Sequence, residues 1–137
     1  MTIKNDIVLW DDGANCLCLL SIRSEQQYKY IDGHPCITFG VSYENANFKG
    51  NDTITLFDRF YNNILNEMKN TYRSMNGTFR ICDIGADTDG YIEFVVKNGI
   101  ASIKGQLGAS FSSHSLKFEF QADQTLIGRF IQAIELG

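Results

Sequence analysis

The sequence predicts an α+β fold: an antiparallel sheet of about seven strands with two amphipathic helices, in the order βββ-α-ββββ-α. Three observations predict it. Turn dipeptides recur along the chain at Asp12-Gly13, Asp32-Gly33, Asn76-Gly77, Asp89-Gly90 and Asn98-Gly99. Asp-Gly and Asn-Gly supply the positive-φ positions that tight hairpins need. Between the turns, most segments alternate apolar and polar residues, and two longer segments switch to the helical period.

The elements follow in order. Ile3 to Trp10 and Cys16 to Arg23 read as the first two strands. Cys36 to Asn47 is the third, with Ile37, Phe39, Val41 and Tyr43 on one face. From Leu56 to Tyr72 the apolar residues Phe57, Phe60, Tyr61, Ile64, Leu65, Met68 and Tyr72 form one helical stripe. Thr55 and Asp58 stand at capping-box spacing before it. Phe79 and Ile81 mark a fourth strand. Tyr91 to Lys97 and Ile100 to Leu107 form a hairpin around Asn98-Gly99. Leu116, Phe118 and Phe120 alternate with Lys117 and Glu119, a strand with one wet face placed at or near the sheet centre. Asp123 is a suitable N-cap for a last helix, from Gln124 to Leu136, whose apolar face is Leu126, Ile127, Phe130, Ile131 and Ile134.

The 137 residues suit a single domain, residues 1–137, large enough to bury a core without covalent staples. Hydrophobic residues make up 44% and charged residues 20%, which argues against disorder. The net charge of −4 argues against nucleic-acid phosphates or an anionic membrane as partner, because both require clustered Lys and Arg. The first ten residues lack the basic start and apolar run of a signal peptide, and no stretch reaches the length of a membrane span. With Cys16, Cys18, Cys36 and Cys82 read as reduced, mostly buried thiols, the expected location is the cytoplasm.

Residues able to carry chemistry are present but not in recognisable sets. Asp83 to Ile92 has the Gly and Ile of a calcium loop at Gly90 and Ile92, but its first and twelfth positions would then be Gly85 and Val96, which cannot act as carboxylate ligands. His34 and His114 have no partners at zinc-site spacing, and Cys16-x-Cys18 alone is not a zinc signature. Ser112, Ser113 and Ser115 surround His114 without a nucleophile elbow. Gly105 to Gly108 lacks the Lys of a phosphate loop. The expectation is therefore a binding protein rather than an enzyme, with no cofactor and no metal. The alternative is a β-rich module holding a small molecule between sheet and helices.

Three stretches carry a family resemblance: Phe48-Lys-Gly50 leading into the first helix; Asp89-Gly-Tyr-Ile-Glu-Phe94 with Gly99 to Gly105; and Leu116 to Leu126 with the last helix. Together they resemble the WapI-type immunity proteins of bacterial polymorphic toxin systems, with Tyr91 standing where that family often has His. The resemblance implies a small cytoplasmic protein that binds and neutralises the C-terminal toxin domain of a cognate secreted protein. It brings no catalytic residues.

A toxin domain that acts on nucleic acid is basic, and carboxylates complement it. The expected partner-binding residues are therefore the loop aspartates Asp11, Asp12, Asp83, Asp87 and Asp89. Asp32 shares their loop character.

Overall fold

A computed structural model describes residues 2–3, 6–26, 35–83 and 89–135. Asp32-Gly33, His34 and Asp87 lie outside them. The α+β class holds, but the strands divide between two antiparallel sheets instead of forming one. In the first sheet, β1 (Thr2–Ile3) and β2 (Ile7–Asp11) both pair with β3 (Cys16–Gln26), followed by β4 (Pro35–Glu44) and β5 (Lys49–Phe57). Helix α1 (Asp58–Ser74) then takes the place of a hairpin and delivers the chain to a new sheet. That sheet is a meander of β6 (Gly77–Cys82), β7 (Tyr91–Lys97), β8 (Ile100–Leu107) and β9 (Leu116–Asp123), and α2 (Thr125–Ile134) follows it.

The chain up to α1 therefore holds five strands where three are expected. The first expected strand is two short ones, and β5 is new. Gly50, Asn51 and Asp52 carry turn chemistry, yet they pair with Tyr43, Ser42 and Val41 across the hairpin. Because β5 runs on to Phe57, α1 begins later than its apolar stripe implies, and Thr55 lies in a strand rather than capping a helix. Asp123 does accept the Thr125 N–H at 2.9 Å, but the residue flanking α2 is Gln124. β9 is an edge strand bonded to β8, not a central one. The β7–β8 hairpin is as expected: Lys97 pairs with Ile100, and Asn98 (φ +52°) and Gly99 (φ +81°) make a two-residue turn with positive φ at both positions.

Two bulges shape the first sheet. In β3 the register slips between Leu20 and Arg23, where Ser21 takes φ +49° and donates its N–H to Asp6 at 3.0 Å. In β2 it slips between Val8 and Trp10, around the buried Leu9.

One core joins both sheets and both helices. Phe130 of α2 meets Phe39 of β4 edge-on at 5.8 Å and Phe94 of β7 at 5.9 Å, so its ring ties the two sheets together. α1 is fixed to α2 by the buried Tyr61 hydroxyl, which donates to the Ile134 carbonyl at 3.0 Å. The strand ends of the second sheet lie along β5. Leu116 packs on Gly50, Gly108 donates its N–H to Asp52 at 2.9 Å, and Thr55 donates its N–H to Asp83 at 3.2 Å. An edge strand that would otherwise invite pairing with another chain is thereby covered.

Candidate protein-binding face

Three pinned loops form the candidate face. The first is the β2–β3 turn. Asp11 accepts the Gly13 N–H at 3.0 Å, and Asp12 accepts those of Ala14 and Asn15 at 2.8 and 2.7 Å and the Trp10 indole N–H at 3.0 Å. These donors, led by the Asn15 N–H, hold the Asp12 carboxyl at a pKa of about 2, below its ordinary 3.8.

The second is the β4–β5 hairpin. The Asn45 side chain accepts the N–H groups of Asn47 and Phe48, both at 2.9 Å, and the Asn45 N–H donates to the Phe48 carbonyl at 2.9 Å. The tip is closed by its own polar groups, and the Phe48 ring is left 61% exposed. The Tyr43 hydroxyl couples this hairpin to the first turn: it donates to Asn15 and accepts from Asn45.

The third loop spans residues 108–115. Asp89 accepts the Ser110 N–H at 2.6 Å, the Ser110 hydroxyl, and the Gln106 amide at 2.9 Å. The Ser110 hydroxyl is the chief reason the Asp89 carboxyl titrates below its usual range. The Ser112 N–H donates to the Ala109 carbonyl at 3.0 Å, and the loop presents Phe111 at 74% exposure.

The hairpin separates two depressions. On one side, Asp11, Asn15, Cys16, Glu44 and Asn45 line a hollow of about 330 Å³. On the other, Phe48, Asn51, Gly108, Ser113, His114 and Leu116 line a cleft of about 520 Å³. A smaller hollow of about 260 Å³ lies between α1 and β6, among Leu56, Phe60, Ile64, Arg80 and Ile81.

Each of the expected aspartates that the structure describes has its own local partners. Asp11 and Asp12 belong to the β2–β3 turn, Asp83 is half-buried and turned to Thr55, and Asp89 organises the third loop. Each accepts backbone N–H bonds, which is the ordinary work of Asp in turns. Glu44, Phe48 and Phe111 were not expected here. The available signal was an aromatic residue standing alone in a turn-forming stretch: Phe48 after Asn45-Ala-Asn47, and Phe111 among serines.

None of the four cysteines forms a disulfide. Cys36 is buried, Cys16 and Cys18 are half-buried, and Cys82 is exposed, so the expectation of mostly buried thiols holds for Cys36 alone. Burial pushes the Cys16 thiol up to about 11, helped by Cys18 and by the charges of Asp11 and Glu44. Among the described residues, no three His, Cys, Asp or Glu side chains gather to hold a metal ion, and no helix is long and apolar enough to cross a membrane. Comparison with protein-family models, curated proteins and solved structures finds no match.

Proposed function

We propose that this chain is a cytoplasmic immunity protein that binds and neutralises the C-terminal toxin domain of a cognate secreted protein. The observation that carries the reading is the pair Phe48 and Phe111, highly exposed on loops that hydrogen bonds already hold in place. Pre-positioned aromatic rings contribute contact area at small entropic cost, which suits the centre of a protein interface. Asp11 and Glu44, in the hollow across the β4–β5 hairpin from the cleft that Phe48 lines, suit a basic partner. The sequence resemblance supplies the kind of partner. In this reading the chain acts by covering the toxin and carries out no reaction of its own.

The reading expects the gene immediately upstream to encode a large secreted protein with a variable C-terminal domain; the test reads that gene and, with the domain in hand, measures its binding to this chain by calorimetry. The expected result is a complex with a dissociation constant in about the nanomolar range, typical of preformed interfaces, and loss of toxin activity in the complex. Absence of binding would overturn the reading. The hollow between α1 and β6 supports the second reading, a module that binds a small molecule between helix and sheet. Stabilisation of the chain by a small apolar ligand, abolished by Ile64→Trp, would favour it.

A further inference from the structure

We infer that the outer face of the second sheet is the interface of a weak twofold dimer, its occupant a second copy of this chain. The core lies on one side of this sheet, where Phe79, Phe94, Ile103 and Phe120 are buried. Alternate residues point the other way. In register they make one charged row across all four strands: Arg80 of β6 is paired with Glu93 of β7, Glu93 with Lys104 of β8, and Lys104 with Glu119 of β9. Arg80, Lys104 and Glu119 are exposed, and Glu93 is half-buried.

Part of this alternation serves the sheet itself, because opposite charges on neighbouring strands attract. Yet Lys104 Nζ stands 3.9 Å from Glu93 Oε1, beyond hydrogen-bond reach. Arg80 is held by a different neighbour: its guanidinium lies 3.8 Å from the centre of the Tyr91 ring. A guanidinium stacked on a ring keeps its N–H edge for an acceptor.

The order of charges is complementary to itself. Lay a second copy face to face, about a twofold axis that runs along the strands between β7 and β8. Columns are then exchanged and rows are kept. Arg80 meets the partner's Glu119, Glu93 meets the partner's Lys104, and the symmetry makes each pair twice. Sheets packed face to face turn by about 30°, which moves the ends of the row by only about 4 Å, within reach of Arg and Glu side chains. An axis across the strands, centred on the same row, would instead set Arg80 on the partner's Arg80. Charge therefore selects the first arrangement. Val95 and Ile100 lie exposed on the same face and supply apolar area.

Four strands at about 4.8 Å spacing and about 20 Å long give a face of roughly 400 Å². That is about half the 800 Å² per partner of a standard interface. The dimer is therefore expected with a dissociation constant of about 10–100 µM, far from nanomolar.

The experiment is sedimentation equilibrium of the whole chain, up to about 500 µM and at two salt concentrations, on the parent, Arg80→Glu, Glu119→Arg and the double variant. Each single variant sets like charges together across the interface and should weaken the dimer at least about tenfold. The double variant should recover most of that loss. Within one copy, residues 80 and 119 stand three strand spacings apart, roughly 14 Å, and cannot compensate each other. If the alternation served the sheet alone, the double variant would gain nothing over the singles, because each reversed charge would still face a like charge on the neighbouring strand. Circular dichroism checks the fold of each variant. Where a reversed charge unfolds the chain, Arg80→Gln with Glu119→Gln takes its place and should also weaken the dimer at least about tenfold. A parent that stays monomeric throughout would overturn the proposal, as would dimers indifferent to these changes or no recovery in the double variant. None of these outcomes depends on the toxin partner.

Discussion

Tyr43 of β4 and Phe118 of β9 lie face to face, their ring centroids 4.3 Å apart and their planes within 7°. The contact joins the two sheets beneath the candidate face, and the Tyr43 hydroxyl continues upward to Asn15 and Asn45. One residue thus serves packing with its ring and loop order with its oxygen. Phe118→Ala should cost about 3–5 kcal/mol, the range for deleting a buried phenyl ring. Tyr43→Phe keeps the ring and loses only the hydroxyl, at about 1 kcal/mol. Urea unfolding followed by circular dichroism measures both. Equal losses would mean that the stack is not what joins the sheets.

Gly105 tests the same joint from the other side. A Cβ there would stand 2.7 Å from both the Phe118 ring and the Tyr91 carbonyl. The ring can shift, but the backbone of a paired strand cannot. Gly105→Ala should therefore destabilise by about 1–3 kcal/mol, the usual cost of overpacking, despite the entropy that alanine saves in the unfolded chain. A variant as stable as the parent in the same urea assay would show that β7 and β8 separate more easily than their register implies.

How far the sequence foretold this architecture depended on whether the signal was local. The β7–β8 hairpin was legible to the residue, because Asn98-Gly99 sets the turn and the turn sets the register. Phe130 was legible as a core residue, but not as the bridge between Phe39 and Phe94, since periodicity names a face without naming what packs on it. β5 was missed because Gly50 and Asp52, in a turn-like Gly-Asn-Asp run, each answer to a distant demand. Gly50 makes room for Leu116, and Asp52 holds the Gly108 N–H. The alternation of Thr53, Ile54, Thr55 and Leu56 was the overlooked sign of a strand. The candidate site was legible in Asp11 and Asp12 as turn residues, but their partner Glu44 comes from a strand far along the chain.

Acid should loosen the β2–β3 turn. Asp12 has its folded pKa depressed to about 2 from 3.8, so the stability it contributes is fully present above the unfolded value and is lost as pH falls toward the folded one. Asp89 and Asp123 shift in the same direction. The melting temperature should therefore fall on acidification from pH 5 through this window. Asp12→Asn should melt below the parent at pH 5, with a gap that narrows toward pH 2. A gap that stays constant across the range would remove Asp12 from the account.

The sharpest division on the candidate face is between rings and charges. Phe48 and Phe111 can be buried by a partner and shed water over their whole surface, so each is a candidate anchor worth about 2 kcal/mol or more. Asp11 and Glu44 act at range: they raise encounter rate and select a basic partner, and each exposed charge is worth only about 0–1 kcal/mol. Neutralising all of Asp11, Asp12, Asp83, Asp87 and Asp89 would blur the test, because Asp11, Asp12, Asp83 and Asp89 all accept backbone N–H bonds, whereas a change at Asp11 alone touches one of them and leaves an amide oxygen for the Gly13 N–H. Asp11→Asn with Glu44→Gln is the cleaner charge variant, and Phe48→Ala with Phe111→Ala the cleaner ring variant. Stopped-flow binding to the toxin domain at several salt concentrations separates them. The charge variant should associate more slowly, with a flatter salt dependence and an unchanged dissociation rate. The ring variant should keep its association rate and salt slope and dissociate at least about a hundredfold faster, as expected for loss of two anchors of this size. If the ring variant dissociates like the parent while the complex still forms, the toxin docks elsewhere on the molecule, and the pinned loops order the fold without serving recognition.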